Sequence, residues 1–238
     1  VPLPELLTAR ALFTDVLDIA GWPKRRFYEM LKLSATDPTE KAELERLCSK
    51  EGKKDYQAYA SESYTYAELL EKFPSAKPNI GHLLDYVPDI KPRLYSIASS
   101  SRMRGNDECH LCIIKNEWDA TSGRNCVGLS TGWLDELEVP SEGIKMRGHI
   151  HPSAVTMPET HATPMLMVAL GTGIAPMRAF IEERAAAKRD GEECAEMALF
   201  FGARNRQEYS YEAEFDAYQK EGVLEHIHLA LSREQKEK

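Results

Sequence analysis

Apolar residues recur every third or fourth position through the first third of the chain, and near position 93 the period shortens to two. In 8–19, Leu12, Phe13, Val16, Leu17 and Ile19 fall on one helical stripe. Stretches 23–33 and 38–48 each open on a proline, whose missing donor costs nothing in a first helical turn. Shorter helical turns are expected at 56–59, 66–73 and 83–87, with Pro74 and Pro78 as breaks. This region reads as a helical packing module without chemistry of its own.

From Arg93 the alternation predicts strands at 93–98, 110–115 and 143–150. The first would send Arg93, Tyr95 and Ile97 to one face and Leu94, Ser96 and Ala98 to the other. Between the last two, Gly128-Leu129-Ser130-Thr131-Gly132-Trp133-Leu134 is a small-residue turn that opens a short helix. Pro152, Pro158 and Pro164 mark a loop-rich link. After it the pattern becomes strand 165–170, a glycine turn, helix 176–188, strand 197–201, helix 211–220 and strand 226–231. The run 165–170 is continuously apolar, as expected of a strand buried on both faces. The order is that of a doubly wound α/β domain, which binds nucleotides beyond the carboxyl ends of its strands.

Composition narrows the function classes. The chain has 238 residues, 42% apolar and 29% charged, values of a globular protein with room for a sizeable core. A net charge of −8 argues against nucleic acid or an anionic membrane as main partner and suits a basic protein partner. Five scattered cysteines make no disulfide framework, so the expected setting is the cytoplasm or another reducing compartment. No transmembrane run or signal peptide is recognisable. The opening Val1-Pro2 suggests a piece of something longer.

Three stretches carry candidate chemistry. Arg93 and Tyr95 on one strand face suit a ligand with a phosphate at one end and a flat ring at the other. Gly171-Thr172-Gly173 sits where a strand feeds a helix, so backbone can approach a phosphate at the helix amino terminus. It is neither a Walker loop nor a full G-x-G-x-x-G, since Pro176 takes the third glycine's place. Ser232-Arg233 ends the last strand, with Lys238 beyond it, and can cradle a second phosphate, the feature that separates NADP from NAD. Cys109-His110-Leu111-Cys112 has C-x-x-C spacing, but a strand sends those thiols to opposite faces and no second pair follows. The pairs His149/His151 and His226/His228 lack a third ligand, so no metal site is expected.

Arg93-Leu94-Tyr95-Ser96, the 128–134 turn, Gly171-Thr172-Gly173-Ile174-Ala175-Pro176, Phe200-Phe201-Gly202-Ala203-Arg204-Asn205 and Leu231-Ser232-Arg233 occur in the order seen in diflavin reductases. The chain resembles that family, within the ferredoxin–NADP⁺ reductase superfamily, along essentially its whole length. The resemblance implies an α+β and α/β architecture: later strands of an antiparallel FAD-binding β-barrel at 91–160, a helical connecting region at 1–90, and an incomplete NADP-binding α/β domain at 161–238. It implies that Arg93 binds the FAD pyrophosphate, Tyr95 packs on the isoalloxazine, and Ser96, the one catalytic candidate, sits beside the flavin nitrogen that accepts hydride. Cys112 and Ile114 would present backbone to the adenosine side, with Trp118 over the adenine. Gly128, Leu129, Ser130 and Thr131 would cradle the flavin pyrophosphate. Gly171, Thr172 and Gly173, with Arg204 nearby, would hold the NADPH pyrophosphate, and Ser232, Arg233 and Lys238 its 2′-phosphate.

Departures from the family pattern are few. Ala169-Leu170-Gly171 replaces a common Gly-Pro-Gly, Ala203 a frequent Cys, and Gly132 a common Asn or Ser. The chain stops at Lys238, where the family's cofactor cradle continues. The expected function is hydride transfer from NADPH to FAD, then electrons onward to a second flavin or another redox partner, with FMN in an upstream domain. A single-flavin reductase and a non-catalytic module on the same fold are the alternatives.

Overall fold

Short polar side chains start four of the early helices, at Thr8, Asp37, Thr65 and Asn79, whereas the helix expected to open on Pro23 begins at Arg25, with Pro23 ahead of its first turn. The computed structural model describes residues 6–140 and 142–234. Thr8 caps α1 (Ala9–Ala11), which widens into a π-helical turn at Leu12–Val16. The 8–19 stripe ends there because Leu17 is extended: Asp18 donates to the Pro88 carbonyl at 2.8 Å and Ile90 to that of Val16 at 2.7 Å. Helix α2 (Arg25–Ser34) follows, then α3 (Pro38–Cys48), whose Asp37 cap accepts from Thr39 and Glu40 at 2.9 and 3.0 Å. Helix α4 (Lys53–Ser61) leads to α5 (Tyr66–Lys72), started by a Thr65/Glu68 capping box, and to α6 (Ile80–Tyr86), capped by Asn79. Their apolar stripes meet in one core around Phe27, Leu31, Leu44, Leu47, Leu69 and Phe73.

The chain forms two compact units, Val1–Arg93 with Lys115–Leu137 and Leu94–Ile114 with Glu138–Lys238. After α7 (Ser101–Arg104), which belongs to the second unit, the chain returns to the first with a hairpin, β1 (Glu117–Asp119) and β2 (Asn125–Val127), and helix α8 (Leu129–Asp135). Arg124 pairs with Glu68 and stacks its guanidinium 5.3 Å from the Tyr64 ring, joining the hairpin to α5.

Burial alone pushes the Glu68 carboxyl up; its bonds with Thr65 and the Arg124 charge outweigh that and hold it below its ordinary value. A depressed carboxylate stabilises the fold above its unfolded pKa and loses that contribution as pH falls through the folded value. The midpoint gap between wild type and Glu68→Gln in thermal unfolding should therefore narrow from pH 7 to pH 3. A gap that is unchanged at pH 3 would show that the Glu68 charge does not stabilise the fold.

The second unit carries a three-stranded parallel sheet, in the order β3 (Met165–Leu170), β4 (Met197–Ala203), β5 (His226–Leu231). Helix α9 (Ile174–Arg189) links the first two strands and α10 (Glu212–Lys220) the last two. Spatial order follows chain order, and right-handed crossovers then place both helices on one face. That face is the core, with Met167, Leu199, Phe201, Ile181, Phe215 and Tyr218.

Two expectations are corrected. Strand β3 is not buried on both faces: Leu166, Val168 and Leu170 are 69%, 64% and 73% exposed, because among the described residues nothing covers the outer face. A continuous apolar run reports hydrophobicity, not the number of layers packed on it. Stretches 93–98, 110–115 and 143–150 are not ladder strands; the first two share an isolated antiparallel bridge, Ile97 opposite Leu111. Alternation specifies faces, while a strand needs a hydrogen-bonding neighbour along its length. The described residues therefore form helices, an antiparallel hairpin and a parallel sheet, without a closed barrel.

Candidate functional site

The carboxyl ends of the three parallel strands bring one group of predicted residues together. Leu170 is in register with Gly202, and Gly202 with Ala230, so the segments that follow leave along one edge of the sheet. From β3 this edge receives Gly171–Gly173, a tight turn with Gly171 at φ +50°, which leads directly into α9. A Cβ at Gly171 or Gly173 would meet no atom within 4 Å, so the space over the turn is open to a ligand. From β4 and β5 it receives Arg204, Ser232 and Arg233: Ser232 donates to the Ala203 carbonyl at 3.0 Å and Arg233 to that of Arg204 at 2.9 Å. Arg204 pairs with Glu208 at 2.5 Å, and Ser232 and Arg233 are exposed. Lys238 lies outside the described residues. At Gly202 a Cβ would come within 2.3 Å of the Leu170 side-chain tip, so the exposed Leu170 would have to turn aside to admit one. An open glycine turn, a helix amino terminus and two arginines on one edge can hold a dinucleotide's phosphates.

A second group lies on the bridge between Leu94–Ile114 segments of the same unit. Ala98 donates to the His110 carbonyl at 2.8 Å, and His110 to the Ser99 hydroxyl at 2.9 Å. Ile97 stands opposite Leu111 in an isolated antiparallel bridge, one residue on from Ser96 and one before Cys112. Ser96 is exposed, Tyr95 half-buried, and Ile114 exposed. Cys112 hydrogen-bonds the Tyr211 phenol, whose pKa burial, aided by that bond, pushes up to about 12.

The remaining candidates belong to the first unit. Arg93 is exposed and donates to the Lys91 carbonyl. Gly128 donates to the Asn116 carbonyl at 2.7 Å and the Thr131 hydroxyl accepts from Asn116 at 3.0 Å, so Asn116 pins the 128–131 turn from both ends. Leu129 is exposed and Ser130 half-buried in the first turn of α8. Gly132, the departure from Asn or Ser, is buried where a Cβ would lie 2.6 Å from Val127. Trp118 is half-buried, its indole bonding Ser63 at 3.2 Å and meeting the Trp22 ring edge-on at 5.5 Å.

Among the described residues no group of three or more potential ligands could hold a metal ion, and no helix is long and apolar enough to cross a membrane. The sequence reading passed over Arg178 and Glu182. Their signal was legible: two opposite charges a turn apart on the apolar stripe of α9 that carries Ile174, Ile181 and Ala185.

The model of the FAD binding domain family matches residues 1–133, and that of the oxidoreductase NAD-binding domain matches 167–238. The chain is 37% identical over 238 residues to the sulfite reductase [NADPH] flavoprotein component of Saccharomyces cerevisiae, covering 99% of this chain and 23% of that protein. It is 36% identical over 237 residues to the mitochondrial pyruvate dehydrogenase [NADP(+)] of Euglena gracilis, covering 99% of this chain and 13% of the relative. Against the NADPH–cytochrome P450 reductase of Rattus norvegicus it is 35% identical over 244 residues, 100% of this chain and 36% of the relative. An FAD binding domain followed by an NAD-binding domain, matched along almost the whole chain by these three reductase and dehydrogenase types, is what a diflavin reductase contains, and the chain belongs to that family as its FAD- and NADP-binding part.

Proposed function

We propose that this chain is the hydride-transfer core of an NADPH-dependent diflavin reductase, passing electrons from NADPH through FAD to a second flavin, FMN in an upstream domain, and on to a redox partner. When bound, NADPH supplies a hydride and FAD the ring that takes it up together with one proton. The protein's own residues bind and orient. Gly171, Thr172 and Gly173 offer backbone to the NADPH pyrophosphate with Arg204 beside them, and Ser232, Arg233 and Lys238 take the 2′-phosphate. Arg93 and the 128–131 turn hold the flavin pyrophosphate, Tyr95 packs against the ring, Ser96 stands at the hydride-accepting nitrogen, Cys112 and Ile114 line the adenosine side, and Trp118 meets the adenine. Residues 1–90 are read as the connecting region, 91–160 as later strands of the FAD barrel, and 161–238 as the NADP domain, wound in the parent on both faces of its sheet.

The observation that carries this reading is the sheet edge where the open Gly171 turn and the Ser232-Arg233 end, bonded to Ala203 and Arg204, come together. Arg233→Ala in the full-length enzyme tests it. A charge-assisted hydrogen bond is worth about 1.5–3 kcal/mol, so the ratio of kcat/KM with NADPH to that with NADH should fall about tenfold or more. An unchanged ratio would overturn the phosphate assignment.

A further inference from the structure

Helix α9 buries three charged side chains, Arg178, Glu182 and Arg184, among isoleucines and alanines, and the first two form an ion pair. The side chains of Arg178 and Glu182 are 4% and 0% exposed and meet at 2.8 Å. Removing an ion pair from water is costly, and apolar residues of similar size often serve stability as well. The pair's other contacts indicate a different use, because they reach beyond the helix. Glu182 accepts from the Ser100 backbone at 2.9 Å and from both ends of the Arg104 fork at 3.0 and 2.6 Å. Arg178 donates to the Ala98 carbonyl, lies 3.2 Å from His110 Nδ1, and reaches the Glu214 carboxylate of α10 at 3.0 Å. Its guanidinium stands 4.8 Å above the ring of Tyr211, the Cys112 partner, which itself holds a left-handed backbone at φ +65°. One planar cation thus fastens the segment just after Ser96 and the segment just before Cys112 to the helix that starts at the Gly171–Gly173 turn.

We propose that Arg178, oriented by Glu182, is a positioning residue for hydride transfer: it fixes the distance between the Ser96 and Cys112 segments and the nicotinamide-nucleotide loop. This rests on the function proposed above, with Ser96 at the flavin and the 171–173 turn at NADPH. Hydride transfer requires reacting atoms about 3–3.5 Å apart, and an error near 1 Å can cost about a hundredfold in rate. Lysine would keep the buried charge but offers a point donor rather than a planar fork, so it cannot span Ala98, His110, Glu182 and Glu214 together.

The test uses Arg178→Lys and Glu182→Gln in the full-length, FAD-loaded reductase, with two readouts. Hydrogen–deuterium exchange at the Ala98 amide, which bonds the His110 carbonyl, should accelerate about tenfold or more in both variants. The rate constant of flavin bleaching by saturating NADPH, taken per bound flavin, should fall by about tenfold or more in Arg178→Lys, while the KM for NADPH stays within about twofold. A purely structural role would instead lower the folded or flavin-loaded fraction and leave the rate per bound flavin unchanged; that result, or unchanged Ala98 exchange, overturns the proposal. Wild-type enzyme whose flavin is not bleached by NADPH would overturn the underlying functional reading as well, which separates the two failures.

Discussion

Full-length reductase carrying Arg93→Ala is expected to purify with most of its FAD gone. The guanidinium is exposed and donates to the backbone carbonyl of Lys91, two residues earlier, so it is available to a phosphate at little cost. Two charge-assisted bonds of about 1.5–3 kcal/mol each correspond to a loss of affinity on the order of a hundredfold or more. The nearby Lys91 cannot stand in, because a single ammonium does not reproduce a bidentate fork. Tyr95→Ala should weaken binding by the smaller aromatic increment, about 0.5–1.5 kcal/mol. The ratio of flavin absorbance to protein in the purified variants reads both effects. Full occupancy in Arg93→Ala would show that this stretch does not carry the flavin phosphates.

The second large effect concerns these 238 residues expressed by themselves, which should give no NADPH-dependent reduction of ferricyanide. Among the described residues the Ser96 segment pairs with other backbone through a single β-bridge, Ile97 to Leu111, rather than through a ladder, so the proposed flavin platform is not part of a sheet. The parallel sheet of the same unit presents Leu166, Val168, Leu170 and Phe200 as exposed residues of one face. An apolar patch of this kind drives self-association. Val168→Lys should therefore raise the soluble yield of the isolated chain without producing dye reduction. Stoichiometric FAD together with dye reduction at the rate of the intact reductase would refute the expectation.

Several elements were legible because local chemistry and tertiary context agree. Helix Pro38–Cys48 forms over the stretch its proline indicates, and Met165–Leu170 and His226–Leu231 match the apolar runs. The glycine turn and the Ser232-Arg233 end lie on one sheet edge because parallel strands with helical crossovers must deliver them there. What failed depends on partners far along the chain. Alternation at 93–98 has no way to report that Ile97 alone finds a bridge. Arg178 and Glu182 stand on the apolar stripe of their helix, but nothing local names their partners, which come from Ala98, Ser100 and Arg104, some 80 residues earlier.

The interleaving of the two units bears on how the protein can be made. The first is built from Val1–Arg93 and Lys115–Leu137, the second from Leu94–Ile114 and Glu138–Lys238. On the ribosome, the helical core can gather early, but Glu68 waits for Arg124 and Ser63 for Trp118 until the hairpin emerges. The Leu94–Ile114 stretch waits longer still, since Arg178 and Glu182 are synthesised well after the residues they hold. Its exposed interval is thus set by translation time, and on the proposed assignment of Tyr95 and Ser96 flavin loading would be a late event in biogenesis. A stall or a protease cut in the intervening loop would strand both units at once.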